Sequence, residues 1–210
     1  MSFTFDWNRP PNPSNDWDHS KRYTSNTPPL SSCGEHTDTR RGGHTTEAIT
    51  LVSSLDFQRY TPRIYIISEG DSLSAKKAVK LEETRGYRIL TLPRARRVHQ
   101  SFISTPPTFL RSFLHSFIHI CLVPTIKRTR FADVLILAGP GTCVPVCFVA
   151  LIPRFFTLPS PRIVYVESFA RVRQLSLSGK ILRHFVDRFI VQWPKLLQNG
   201  GRGEYYGCIV

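Results

Sequence analysis

Two segments of this chain carry side chains whose types and spacing suit them to chemistry. Gly42-Gly43-His44-Thr45-Thr46 pairs two glycines with a helix-starting sequence. Such a turn lets backbone approach a phosphate closely, and the first turn of the helix offers unpaired amides and a positive dipole end. It lacks the Lys-Ser/Thr ending of a P-loop, and Thr45 or Thr46 can equally serve as a helix cap. Glu167-Ser168-Phe169-Ala170-Arg171-Val172 follows directly on the apolar run 163–166. In open α/β sheets ligands bind at the carboxyl ends of strands, where Glu167 is expected. A carboxylate there can accept hydrogen bonds from hydroxyl groups or take part in proton transfer; its structural alternative is an ion pair with Arg171 or Arg173.

Two further stretches suit a surface. Leu92-Pro93-Arg94-Ala95-Arg96-Arg97-Val98-His99 is a basic loop at another strand end, fit for phosphates or lipid headgroups. Beyond Pro106-Pro107, the residues Phe109, Leu110, Phe113, Leu114, Phe117 and Ile118 fall on one broad helical face, with Arg111, His115 and His119 on the other. That face suits core packing or insertion at a membrane interface.

These segments need elements to position them. A helix opens at His44, with Ala48, Leu51, Val52 and Leu55 on one stripe. The runs 64–67, 87–92, 134–138, 163–166 and 189–191 read as short strands. Between them, helical patterns cover 72–85, 108–122, the stretch after Gly139-Pro140-Gly141-Thr142, and the approach to His184. Strands alternating with helices predict an α/β, Rossmann-like doubly wound domain with a mainly parallel sheet over 41–210. Residues 1–40, rich in Pro, Ser, Asn and Thr, read as a disordered polar tail. A Gly-Gly-His turn in this fold should follow an apolar strand, and 32–41 is a poor candidate for one.

The apolar stretch 132–152 is interrupted by Gly139-Pro140-Gly141 and Pro145, so no membrane-crossing helix is expected there or elsewhere. The five cysteines form no disulfide framework or metal spacing; Cys143 and Cys147 read as small buried residues. No metal or cofactor is expected. The formal net charge is +13. Residues 1–40 hold four basic and five acidic side chains, so the surplus lies wholly in the remainder. A polyanionic partner fits, whether lipid headgroups, a phosphorylated substrate or nucleic acid. No nucleic-acid reader motif is present, so nucleic acid is the second choice.

Taken together the motifs resemble one family. They are Gly42-Gly43-His44-Thr45-Thr46-Glu47, Pro93-Arg94-Ala95-Arg96 and Gly139-Pro140-Gly141-Thr142-Cys143-Val144-Pro145. Further on come Tyr165-Val166-Glu167-Ser168-Phe169-Ala170-Arg171-Val172, Leu175-Ser176-Leu177-Ser178-Gly179-Lys180 and Asp187-Arg188-Phe189-Ile190-Val191-Gln192-Trp193-Pro194, closed by Tyr205-Tyr206-Gly207-Cys208-Ile209-Val210. In order and spacing they resemble the anchoring subunit of the eukaryotic UDP-N-acetylglucosamine transferase of dolichol-linked oligosaccharide assembly.

The resemblance implies the N-terminal, acceptor-binding half of a GT-B glycosyltransferase. A separate cytosolic subunit would bind UDP-N-acetylglucosamine, and the pair would add the second N-acetylglucosamine to a dolichyl-diphosphate acceptor at the endoplasmic reticulum and nuclear envelope. A scaffold without a catalytic contribution is the other reading within the same resemblance. On the first, Gly42, Gly43 and Thr45 would meet the acceptor diphosphate, and His44 or Glu167 would be the general base. Arg94, Arg96, Arg97, Phe109, Phe113 and Phe117 would face the membrane or its headgroups; Tyr205, Tyr206, Ile209 and Val210 would dock the catalytic partner. The family pattern also has an N-terminal membrane helix and a strand leading into Gly-Ser-Gly-Gly-His. Here the opening is polar and Arg40-Arg41 stand at the Gly-Ser positions, which suggests an incorrectly assigned N-terminus.

Overall fold

The computed structural model describes residues 2–5, 43–57, 60–82, 87–95, 105–139, 141–197 and 202–207; at 2–5, 43, 44 and 105 the description is of backbone alone. Seven strands form one sheet: β1 (Ser2–Phe5), β2 (Arg63–Ser68), β3 (Tyr87–Leu92), β4 (Val134–Ala138), β5 (Arg162–Val166), β6 (Arg188–Val191) and β7 (Glu204–Tyr205). Their order across the sheet is β3-β2-β1-β4-β5-β6-β7. Every neighbouring pair is parallel except the two that β1 makes. The sheet is therefore mainly parallel, as the alternating pattern predicts.

The central strand comes from the segment read as a tail, and Ser2–Phe5 correct that reading. They lie antiparallel between β2 and β4, with Ser2 opposite Ile66 and Leu137 and Phe5 opposite Arg63 and Val134. Without a strand in this slot, the facing amides and carbonyls of β2 and β4 would lack partners inside the domain. The alternation Ser-Phe-Thr-Phe is compatible with a strand, but four residues are too few to read as one. The run 32–41 lies outside the described residues.

Two apolar layers cover the sheet. On one side, α1 (Gly43–Ser53) and α2 (Ser72–Leu81) pack Ala48, Val52 and Ala78 against Tyr65 and Ile67. On the other, α5 (Cys143–Phe155) is buried on nearly all sides, because β4 and β5 lie under it and α3 (Thr105–Ser116) and α6 (Leu177–Leu182) flank it. Its Cys143 and Cys147 are buried free thiols, and burial pushes Cys147 up to about 12, which keeps it unreactive.

The helix that begins as α3 does not stop at Ser116. It continues through π-helical turns at Phe117–Leu122 into α4 (Val123–Ile126). The stretch Pro106–Ile126 is long and apolar enough to cross a membrane by length and composition, a property the sequence reading missed. In the fold one side of it lies on α5. Ser112 and Ser116 are fully buried there, and such small side chains permit close helix approach.

Candidate functional site

The carboxyl ends of the parallel strands bring together the start of α1, the turn after β4 and the loop 167–176 after β5. Gly139 ends β4 with φ of 104°, a value that favours glycine. The following Thr142 hydroxyl pairs with that of Ser68 at the end of β2, 2.8 Å away, which ties the turn after β4 to the end of β2.

Glu167 is only 1% exposed. Its Oε1 accepts from the Ser168 amide, and its Oε2 accepts from both the amide and the hydroxyl of Ser176, each at 3.1 Å. The same Ser176 oxygen caps α6 by accepting from the Gly179 amide at 2.9 Å. Burial pushes the Glu167 carboxyl above the usual carboxylate range, and the bonds from Ser176 and Ser168 only partly offset it. Arg171 and Arg173 are exposed, and the direct partners of Glu167 are these serines. The loop is braced from beyond as well: Trp193 Nε1 donates to the Phe169 carbonyl at 2.7 Å, and the two rings lie 4.9 Å apart.

Opposite this loop stands a residue the sequence reading placed in a motif but gave no role. Glu47, in the second turn of α1, accepts from the Ser168 hydroxyl at 2.9 Å through Oε1. The bond spans 121 positions and ties α1 to the loop after β5. Its spacing of three from His44 was the signal available, since residues three apart share a helix face. Gly43 and His44 open α1 as expected, with His44 in its first turn; Gly42 lies outside the described residues. The Thr45 hydroxyl pairs with Ser74 Oγ at 2.6 Å, and Lys77 Nζ donates to Thr46 Oγ1 at 2.8 Å, so both threonines hold α1 against α2.

Around the site, Arg94 is exposed and donates from Nε to the Glu69 carbonyl at 2.8 Å, which fixes the start of the basic loop; Arg96 and Arg97 lie outside the described residues. Phe109, Phe113 and Phe117 turn inward. They are half-buried against the core beside α5, which corrects the expectation that they form the outer face. The face they leave outside is Leu110, Leu114, Ile118, Leu122 and Ile126, each between 42% and 72% exposed. In a continuous α-helix a row of every fourth residue drifts by about 40° per step. The wider π turns at Phe117–Leu122 drift the other way and hold the row on one side. Arg111 and His115 are exposed and His119 half-exposed alongside, with the two imidazoles 6.2 Å apart.

At the far edge, Tyr205 lies in β7 and packs partly against this domain's own core, whereas Tyr206 is exposed and donates to Glu204. Ile209 and Val210 lie outside the described residues.

Several known proteins are similar to this chain. A family model described as "Oligosaccharide biosynthesis protein Alg14 like" matches residues 40–209. The UDP-N-acetylglucosamine transferase subunit ALG14 of Cryptococcus neoformans var. neoformans is 47% identical over 162 residues, 73% of this chain and 70% of the relative. The subunit of the same name from Mus musculus is 44% identical over 180 residues, 80% of this chain and 79% of the relative. That of Homo sapiens is 43% identical over 179 residues, with 80% and 79% covered. Among solved structures, the fold is similar to Acinetobacter baumannii MurG with a TM-score of 0.50 and 12% identity. That match covers 80% of this chain, which spans 42% of the length of MurG. The likeness to MurG concerns the fold alone; the family model and the relatives carry the assignment, and this chain belongs to the Alg14 family of oligosaccharide biosynthesis proteins.

Proposed function

We propose that this chain is the acceptor-binding, membrane-docked subunit of a UDP-N-acetylglucosamine transferase. It adds the second N-acetylglucosamine to a dolichyl-diphosphate N-acetylglucosamine on the cytosolic face of the endoplasmic reticulum and nuclear envelope. The name carried by its relatives, a transferase subunit, supports a second chain that holds the donor. Residues 205–210 are the proposed dock for that chain. The start of α1 receives the acceptor diphosphate on its amides and dipole end. The acceptor hydroxyl oxygen bonds to the anomeric carbon, UDP departs on the partner, and the hydroxyl proton passes to the His44 imidazole. Supplied with the donor but without its partner, the purified chain is expected to transfer no sugar. Adding the cognate donor-binding subunit and a short-chain lipid-diphosphate acceptor should start transfer, and transfer by the chain alone would refute the division of labour.

The observation that carries the membrane part is the exposed aliphatic row from Leu110 to Ile126 beside Arg111, His115 and His119. Apolar groups beside cations suit an anionic bilayer surface. Burying one such side chain contributes about 1.5–3 kcal/mol, so changing two to acid removes more than tenfold in affinity. Leu114→Glu with Ile118→Glu should therefore abolish co-flotation with phosphatidylserine vesicles. Both residues are half exposed in the fold, so thermal stability should hold. Unchanged flotation would remove this row from the membrane face.

A further inference from the structure

The side of α5 turned away from the sheet is a stripe of apolar side chains. Phe148, Leu151 and Ile152 are half-buried along it and Phe155 is 82% exposed, while the other faces of the helix are buried. A helix covered only by solvent carries polar groups in that position. The neighbouring α6 repeats the pattern. Leu177 and Ile181, four apart on one face, are exposed, and so is Phe185 in the turn beyond, whose ring lies 5.1 Å from that of Phe148. Because α5 packs between α3 and α6, these groups extend the row from Leu110 to Ile126 across the layer.

The charges around this layer are of one sign. From Thr105 to Val186 the chain has ten Lys and Arg and two acids, Asp133 and Glu167. Glu167 is buried, and Asp133 and the next acid, Asp187, accept from Arg130 and Arg154. The layer on the other side of the sheet is balanced, with five acids and five Lys or Arg between Gly43 and Glu82. A bilayer of anionic lipids complements the apolar face and its cationic rim together.

Resting on the membrane reading above, we propose that the whole outer face of the α3–α5–α6 layer lies on an anionic bilayer, with a second line of contact along Phe155, Leu177, Ile181 and Phe185. Contact along α3 and α4 alone would let the domain roll about one axis, and the second line stops the roll. The sheet then lies roughly parallel to the bilayer, about 10 Å above it, one helix diameter. Its carboxyl edge opens sideways just above the headgroups, at the height of the sugar of a lipid-linked diphosphate.

The test is flotation of the full chain with vesicles of phosphatidylcholine and phosphatidylserine, beside vesicles of phosphatidylcholine alone. Phe155→Glu with Leu177→Glu puts two carboxylates into the second line and leaves the row from Leu110 to Ile126 intact. It should weaken flotation on the anionic vesicles by at least about tenfold. Thermal stability should hold, since the two side chains are 82% and 61% exposed. Arg173→Glu with Lys180→Glu reverses two exposed charges of the rim. It should cause a similar loss on the anionic vesicles and almost none on phosphatidylcholine alone. Both variants should still assemble with the cognate donor-binding subunit. Wild-type flotation of both, while Leu114→Glu with Ile118→Glu fails to float, would confine the membrane face to α3 and α4 and overturn this proposal alone. Normal flotation with lost assembly would give the second line to the partner subunit and overturn it as well. A wild-type chain that does not float would overturn the membrane reading itself, and this proposal with it.

Discussion

Glu82→Ala is expected to destabilise the domain by about 3–5 kcal/mol, the usual cost of stripping one partner from a buried ion pair. The Arg63 guanidinium at the start of β2 donates from Nε and Nη2 to the two Glu82 oxygens, each at 2.5 Å. Their side chains are 5% and 1% exposed. The Tyr65 hydroxyl donates to Glu82 as well, and Arg63 Nη1 donates to the carbonyls of Phe57 and Tyr60 at 2.9 and 2.7 Å. The Phe57 ring covers the guanidinium carbon at 4.3 Å. Removing Glu82 leaves this cation without its counter-charge in the interior. A domain of this size has about 5–15 kcal/mol in all, so the loss should appear as a large fall in urea midpoint. Arg63→Met with Glu82→Met should lose much less, since neither charge is then stranded. An equal fall in single and double variants would mean that packing rather than charge pairing holds this corner.

The same pair sets a pH dependence. Burial alone pushes the Glu82 carboxyl up, but the bonds from Arg63 and Tyr65 and the Arg63 charge outweigh it, so its pKa lies below the ordinary carboxylate value. A depressed carboxylate contributes stability that is present above its unfolded pKa and lost as pH falls through the folded one. Asp187, bound by Arg154 and by the Ile163 amide, follows the same sign; there too burial is the largest influence and is outweighed. The wild-type urea midpoint should therefore drop below about pH 4, and more steeply than that of the double methionine variant.

Gly179→Ala is the second large effect. The added methyl would overlap Glu167 Oε2 and lie 3.1 Å from the Ser176 hydroxyl oxygen. A displaced glutamate end is often harmless, but this one is held by three hydrogen bonds and has no solvent to move into. Overpacking of this kind costs about 1–3 kcal/mol. The carboxylate should leave Ser176, the cap of α6 should weaken, and the loop 168–176 should loosen. Arg171 and Arg173 are exposed in that loop, so limited trypsin digestion reads the change directly. Faster cleavage there, together with a fall in transfer by the two-subunit complex, is the expected result. Wild-type digestion and turnover would show that Glu167 is not the brace of this loop.

Much of this architecture was legible in the residue pattern. The strands 87–92 and 134–138 coincide with β3 and β4, because short apolar runs bounded by glycine or proline leave few alternatives. Two elements were not legible. β7 is two residues long, too short to carry any period. β1 has a strand-compatible alternation, but what makes Ser2–Phe5 a strand is the empty ladder on both sides of them, which lies far away in sequence.

The site divides in the same way. Motif chemistry alone marked the Gly42-Gly43-His44 turn, Glu167 and the family to which the chain belongs. Composition alone marked the helix beyond Pro106-Pro107 as able to face either core or membrane. Neither could assign the two faces of that helix, because Phe109 and Leu110 are equally apolar and differ only in which one α5 covers. The π turns that keep Leu110, Leu114, Ile118, Leu122 and Ile126 in one row have no signature in the sequence. Nor could sequence show that Glu167 is buried while Glu47 is partly exposed. The donors of Glu167 come from its own loop, Ser168 and Ser176, whereas the Ser168 hydroxyl reaches Glu47 from 121 positions away.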